Sequence, residues 1–175
     1  MEGDDTVVGS QTLSGGWNNG GEYTVYFCLN SDVPFASVST HRTAEGKTMA
    51  DLRLPQKEAI IKIGISFLSI DKARENLRQV KDKDFESVRQ ECIDSWNSIL
   101  SRVEIQPRKQ FNSFRREQYL RMYYTGLYHT MLMPVDRTGE LEGCDGVYYD
   151  DYYAIWDTYR TSTPMITLLD PDRER

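Results

Sequence analysis

The first seventy residues alternate apolar and polar positions over short runs, which predicts β-strands separated by turns. A run of turn-forming residues at 15–21 precedes a β-branched and aromatic stretch at 23–29. Residues 36–40 give a further short strand, and residues 45–47 a turn. The strongest strand signal spans 59–67, and its apolar residues at alternate positions share one face: Ile61, Ile63, Ile65 and Phe67. Several short strands with Gly-rich turns are typical of part of a β-sandwich.

Beyond residue 69 the apolar spacing changes to steps of three and four, which predicts helices. Ser69 or Asp71 is suited to cap a helix that starts at residue 72. A second helix begins at Asp84 and is closed by Pro107. Its amphipathic stripe consists of Phe85, Val88, Cys92, Trp96, Ile99 and Val103. A third helix runs from about residue 111 to 133 and ends at Pro134.

The third helix is apolar and aromatic over much of its circumference, so we expect it to be buried between neighbours. On this helix a lone His129 is more typical of a satisfied core residue than of a metal ligand. Turns are predicted at 136–139 and 143–146, followed by a helix with Thr163 as cap and Pro164 at its first position. The apolar faces of the last two predicted helices have too few partners within 175 residues to be covered. We therefore expect this chain to be a segment of a longer protein.

Composition excludes several functional classes. Lys and Arg number 21 against 27 Asp and Glu, for a net charge of -6, which argues against nucleic acid or an anionic membrane as partner. No apolar run approaches the roughly 20 residues of a membrane-spanning helix. The three cysteines are far apart and lack zinc-ligand spacing. No signal peptide is visible after Met1, and the compartment is left open.

Residues 148–160 combine three carboxylates, five Tyr, one Trp and one Arg. Aromatic rings stack on the C–H faces of sugars, while carboxylate and guanidinium groups hydrogen-bond their hydroxyls, so the stretch suits a carbohydrate cleft. A structural interpretation is equally consistent with these residues: a Tyr-rich loop packed on a core, with the aspartates capping helices. Asp150 and Asp151 would point apart in an extended chain and have no evident partner. On a helix Asp157 would face Arg160, which would keep it ionised as a hydrogen-bond acceptor.

Two segments resemble glycoside hydrolase family 92. Residues 123–134, YYTGLYHTMLMP, are similar to a helix of that family, and residues 152–162, YYAIWDTYRTS, resemble its Trp-Asp segment. Weaker similarities upstream cover residues 23–27, 64–77 and 85–97, so the resemblance extends over nearly the whole chain in order.

The resemblance implies a calcium-dependent, inverting, exo-acting α-mannosidase that acts on mannose-containing glycans such as N-glycans or mannan. It implies an α+β multidomain fold: the late strands of a β-sandwich at 1–70, linker helices at 71–108 and the opening helices of an (α/α)6 toroid at 109–175. It also implies that Trp156 walls the mannose pocket, that Asp157 accepts hydroxyl hydrogens and that Arg160 positions Asp157 or reaches a hydroxyl.

The general acid, the general base and the main calcium ligands of the family lie in later toroid segments. We therefore expect no catalytic pair in these residues and no activity from this chain alone. Two alternatives stay open at this stage: another toroid glycosidase, or a non-catalytic carbohydrate-binding module. Family members are commonly secreted or periplasmic.

Overall fold

A computed structural model describes residues 3–15, 21–152 and 154–174. Part of the predicted turn at 15–21 and Tyr153 of the Tyr-rich stretch lie outside these residues. The chain forms two compact units, Met1–Val88 and Arg89–Arg175. The division into sandwich, linker and toroid segments at residues 70 and 108 stays a prediction. Among the described residues, no helix has the length and apolar character needed to cross a bilayer.

The first unit contains the three strands predicted at 23–29, 36–40 and 59–67, and two further strands, at 6–13 and 48–53, without a predicted counterpart. They are β1 (Thr6–Leu13), β2 (Tyr23–Ser31), β3 (Ser37–Arg42), β4 (Thr48–Arg53) and β5 (Ile61–Ser66). An antiparallel sheet has the order β1-β2-β5, and β3 and β4 form a separate antiparallel pair. Gly46 has a φ of 80° in the turn between β3 and β4, which confirms the predicted turn.

One face of the three-stranded sheet is covered by helix α1 (Ile70–Lys81). The Ser69 side chain accepts a hydrogen bond from the Lys72 backbone N–H at 3.1 Å, so the predicted cap is confirmed. Beneath α1, a buried cluster joins Cys28 of β2 to Ala73 and Leu77. The backbone of β5 approaches α1 so closely at Gly64 that a Cβ there would lie 2.2 Å from the Ala73 carbonyl oxygen.

The opposite face of the same sheet carries the isoleucines that the period-two pattern grouped together. Ile61, Ile63 and Ile65 are 40%, 54% and 53% exposed. The face next to α1 instead carries the small residues Gly64 and Ser66, because the helix backbone lies too close for larger side chains. The most apolar face of β5 is therefore turned away from the core of this unit.

The second unit is mainly helical. Its elements, of which α2 starts in the first unit, are α2 (Phe85–Leu100), α3 (Ser113–Thr130), β6 (Val135–Asp136), β7 (Tyr149–Asp150), α4 (Ile155–Thr158), α5 (Ser162–Leu169) and a 3₁₀ helix at Pro171–Glu174. Asp84 caps α2 by accepting a hydrogen bond from the Ser87 N–H at 2.7 Å, and Asn112 caps α3 in the same way. The predicted second and third helices are confirmed.

The core of the second unit is small and consists of Leu127, Met131 and Ile166. The C-terminal half of the α2 stripe packs against it, whereas Phe85 and Cys92 in the N-terminal half are exposed. Helix α3 is covered along one side only, which agrees with the expectation that the apolar faces have too few partners in these residues. Leu127 is its buried residue, because the chain supplies neighbours along one side only, and its exposed large residues are Phe114, Tyr119, Met122 and Tyr128.

The last predicted helix begins earlier than expected. Helix α5 starts at Ser162 with Thr161 at the cap position, and no side-chain hydrogen bond is made by that cap. Pro164 is thus the third helical residue and not the first. This position tolerates proline because the N–H groups of a first helical turn have no partner within the helix.

Candidate functional site

The Tyr-rich stretch is held by a short hairpin formed by β6 and β7. Asp136 pairs with Tyr149 across the two strands, and the Arg137 N–H donates to the Tyr148 carbonyl at 2.8 Å. The connecting loop contains Gly139 and Gly143, both with positive φ, which agrees with the predicted turns. The hairpin therefore fixes where residues 147–152 emerge from the fold.

The two adjacent aspartates have partners that the sequence did not reveal. Asp151 forms an ion pair with Arg137 from the other side of the hairpin. Asp150 accepts a hydrogen bond from the Tyr148 hydroxyl at 3.2 Å. Desolvation raises the pKa of Tyr148 and the Asp150 carboxylate raises it further, so this hydroxyl stays protonated and donates at neutral pH. The expectation that neither carboxylate has a partner is wrong.

The Trp-Asp step lies on α4, a helix of a single turn. Trp156 is 75% exposed, and Asp157 and Arg160 are also exposed. Neither the indole nor the carboxylate is therefore sealed inside this chain, and both are accessible to a ligand or to further protein.

Asp157 and Arg160 do not form the ion pair expected from helical spacing. Helix α4 ends at Thr158, so the two side chains do not share one helical face. The Arg160 guanidinium instead lies over the ring of Tyr159, 5.4 Å from its centroid. Arg160 is thus held by a cation–π contact next to the step and not by its carboxylate.

His129 is exposed, so the expectation of a core histidine is wrong. It lines a cavity of about 50 Å³ together with Thr130, Tyr152, Thr158, Ser162 and Thr163. Ligand pockets have volumes of about 300 Å³ and more, so this cavity has room for water and not for a pyranose ring. The ring of Tyr128 lies 5.7 Å from the His129 ring.

A larger cleft of about 710 Å³ lies against the hairpin. Tyr148, Tyr149 and Tyr152 line it, together with Val147, Asp136, Asp172 and Arg173. Among the described residues that line these two cavities, neither Trp156 nor Asp157 appears. The tyrosines of the predicted carbohydrate stretch thus come together in the structure, whereas the Trp-Asp step stands apart on α4.

The calcium that the family resemblance implies would need several oxygen ligands close together. Within residues 3–15, 21–152 and 154–174, no three His, Cys, Asp or Glu side chains are grouped so that they could hold an ion. The described residues by themselves therefore do not fit a calcium site.

Sequence comparison gives the decisive observation: the model of the glycosyl hydrolase family 92 catalytic domain matches residues 72–175. The chain belongs to glycosyl hydrolase family 92. The match includes the Trp-Asp step and the whole Tyr-rich hairpin. Comparison with curated proteins gives no match.

Solved structures of family 92 share the fold. The α-mannosidase BT3965 from Bacteroides thetaiotaomicron aligns at 20% identity and a TM-score of 0.69, over 95% of this chain and 25% of its own. The inverting mannosidase BT2199 from the same organism aligns at 24% identity and a TM-score of 0.71, over 94% and 25%. A complex of BT3965 with mannoimidazole aligns at 20% identity and 0.69, over 95% and 24%. The chain thus spans about a quarter of the length of these structures and shares their mixture of strands and helices.

Proposed function

We propose that this chain is a segment of a longer family 92 enzyme that removes terminal α-linked mannose from glycans. The observation that carries the proposal is the match of the family's catalytic-domain model to residues 72–175. The solved structures of similar fold are mannosidases, and one of them binds mannoimidazole. Membership of family 92 also favours this activity over that of another toroid glycosidase.

The proposed architecture assigns residues 1–70 to a β-sandwich, 71–108 to linker helices and 109–175 to the start of an (α/α)6 toroid. Two exposed apolar surfaces support this assignment. The isoleucine face of β5 is suited to pack against a second sheet, and the exposed side of α3 against further helices. Contiguous apolar surfaces are often covered by further protein.

We propose that Trp156 and Asp157 bind the mannose that is released. The exposed indole offers a flat apolar surface for the C–H face of a pyranose. The carboxylate of Asp157 is suited to accept hydrogen bonds from sugar hydroxyls. Arg160 lies three residues further on and is suited to donate to a hydroxyl, with its guanidinium oriented by Tyr159.

Inverting hydrolysis needs two carboxyl groups about 6.5–9.5 Å apart, one that protonates the leaving oxygen and one that activates water. We propose that this pair and the calcium ligands lie outside these residues. On this proposal the 175-residue chain by itself does not hydrolyse mannosides.

The test is aryl α-mannoside hydrolysis by the longer protein and its Asp157→Ala variant, with and without a calcium chelator. Loss of a charge-assisted hydrogen bond costs about 1.5–3 kcal/mol, so we expect kcat/KM to fall by roughly 10- to 150-fold. Asp145→Ala is the matched control, because Asp145 is an exposed aspartate on the hairpin loop and is not assigned to the site.

Unchanged kinetics in Asp157→Ala would remove this residue from the site. Mannose binding without any hydrolysis by the longer protein would instead favour the carbohydrate-binding module. Activity that is insensitive to the chelator would contradict the calcium part of the proposal only.

A further inference from the structure

The tyrosine cleft, defined by Tyr148, Tyr149, Tyr152, Asp136, Asp172 and Arg173, is a second candidate site in this unit. It lies between the β6–β7 hairpin and the 3₁₀ helix at Pro171–Glu174. Its volume of about 710 Å³ falls within the range of about 300–1,000 Å³ that is typical of ligand pockets. None of the roles proposed for Trp156, Asp157 and Arg160 uses it.

Two of its three aromatic rings are held in place by the surrounding structure. The Arg173 guanidinium lies 5.9 Å from the centroid of the Tyr149 ring and also donates to the Met131 carbonyl at 2.8 Å. Its Nε lies 3.3 Å from an Asp170 carboxylate oxygen. Tyr148 is held through its hydrogen bond to Asp150. Pre-positioned rings bind a ligand at a lower entropic cost than mobile ones.

The third ring presents an accessible surface. Tyr152 is 57% exposed and lines the cleft. Asp136 and Asp172 also line the cleft, and one Asp136 carboxylate oxygen accepts a hydrogen bond from the Thr138 N–H at 2.9 Å. Aromatic faces combined with carboxylate acceptors match the C–H faces and hydroxyl groups of a pyranose.

The charges in the cleft disfavour an anionic ligand. Two carboxylates border it, and the guanidinium of Arg173 is already engaged by Tyr149, the Met131 carbonyl and Asp170. Carboxylate acceptors next to aromatic rings suit a neutral polyhydroxyl ligand better than a phosphate or carboxylate ligand.

We propose that the tyrosine cleft binds a second sugar unit of the glycan, separate from the unit bound by Trp156 and Asp157. The identification of the ligand as a glycan rests on the proposed function. Because the second unit is absent from a simple aryl mannoside, the cleft contributes to oligosaccharide turnover and not to the turnover of that minimal substrate.

The experiment compares an aryl α-mannoside with an α-linked mannotriose as substrates of the longer protein. Tyr152→Ala removes the exposed ring, and Asp172→Asn removes one carboxylate. Aromatic stacking and a single hydrogen bond each contribute modestly, so we expect kcat/KM for mannotriose to fall about 2- to 10-fold in each variant, with aryl mannoside turnover unchanged. Tyr152→Phe keeps the ring and should retain mannotriose turnover.

The matched control is Tyr119→Ala, because Tyr119 is 45% exposed on α3 and does not line the cleft. It should leave both substrates unaffected. An equal fall for both substrates in Tyr152→Ala, or no fall for either, would overturn the proposal.

A direct binding measurement separates this proposal from the proposed function. If the longer protein hydrolyses neither substrate, calorimetric titration with mannotriose still tests the cleft. Weaker binding in Tyr152→Ala and Asp172→Asn, but not in Tyr119→Ala, supports a sugar site without hydrolysis. Equal binding in all of these proteins overturns it.

Discussion

Gly64 is the position where a single methyl group should most disturb the first unit. Its backbone lies directly against helix α1, and no positive φ is involved, so the requirement for glycine concerns space and not conformation. In Gly64→Ala the new Cβ would lie 2.2 Å from the Ala73 carbonyl oxygen, 2.5 Å from the Leu77 nitrogen and 2.9 Å from the Leu77 Cα. All three are backbone atoms, so rotation of a side chain does not relieve the contact.

The magnitude follows from the distance that α1 must move. Non-bonded carbon contacts are most favourable at about 3.5–4.0 Å, so the helix must retreat by about 1.3 Å at Ala73. A gap of about 0.5–1 Å already removes a quarter to a half of the dispersion energy of the atoms beside it, here the buried cluster of Cys28, Ala73 and Leu77. Overpacking of this kind costs about 1–3 kcal/mol, and we expect about 3 because backbone opposes backbone.

Hydrogen–deuterium exchange of peptides that cover β5 and α1 is the appropriate assay, because it reports local opening within a larger protein. A loss of about 3 kcal/mol corresponds to exchange that is roughly 160-fold faster in these peptides. The matched control is Gly126→Ala on α3, where an added Cβ meets no atom within 4 Å. This substitution should slow exchange in α3, because alanine favours a helix over glycine by about 0.5–1 kcal/mol.

Exchange in β5 and α1 that changes less than threefold in Gly64→Ala would refute the reasoning. It would mean that the helix and the sheet are not in close contact in solution. Faster exchange throughout both units in Gly126→Ala would likewise contradict the open space assigned to that position.

Three further outcomes can be checked. Asn112→Ala removes the hydrogen bond to the Arg115 N–H at 2.9 Å and should destabilise α3 by about 1 kcal/mol in denaturant titration, whereas Asn112→Ser should not. The backbone N–H of Ser87 lowers the pKa of Asp84, so its cap stabilises α2 above the unfolded pKa of about 3.9 and is lost as the pH falls through the lower folded pKa. Circular dichroism should show this helical loss in acid, and an identical titration of Asp84→Asn would contradict it. The 175-residue chain should bind a hydrophobic dye, since residues such as Phe114 and Ile63 are exposed; a cooperative thermal transition without dye binding would be evidence against this.

Local signals in the sequence were sufficient for most of the elements. The β-branched and aromatic stretch at 23–29 forms β2, and Ser69 caps α1 as predicted. Such signals succeed because strand alternation, helix caps and glycine turns depend on neighbours within a few residues. The motif resemblance likewise identified family 92, since the Trp-Asp and aromatic-helix segments are specific runs of residues.

The candidate site could be predicted only in part from the sequence. The clustering of tyrosines at 148–160 indicated a carbohydrate cleft, and three of them do line one cleft. Its carboxylate border could not be predicted, because Asp136 and Asp172 come from parts of the chain before and after that run. The predicted ion pair between Asp157 and Arg160 does not form, because α4 ends at Thr158. The spacing of the two residues along the chain does not reveal where the helix ends.

The sequence by itself thus determined the main strands and helices in their order, the Ser69 cap and the family. Only the tertiary structure decided which face of β5 meets α1, because the isoleucine pattern favours one face while the close helix backbone requires the other, at Gly64. Only the tertiary structure brought Arg137 to Asp151 and Arg173 to Tyr149. Contacts of this kind join residues far apart in the chain, and their geometry depends on how whole elements pack.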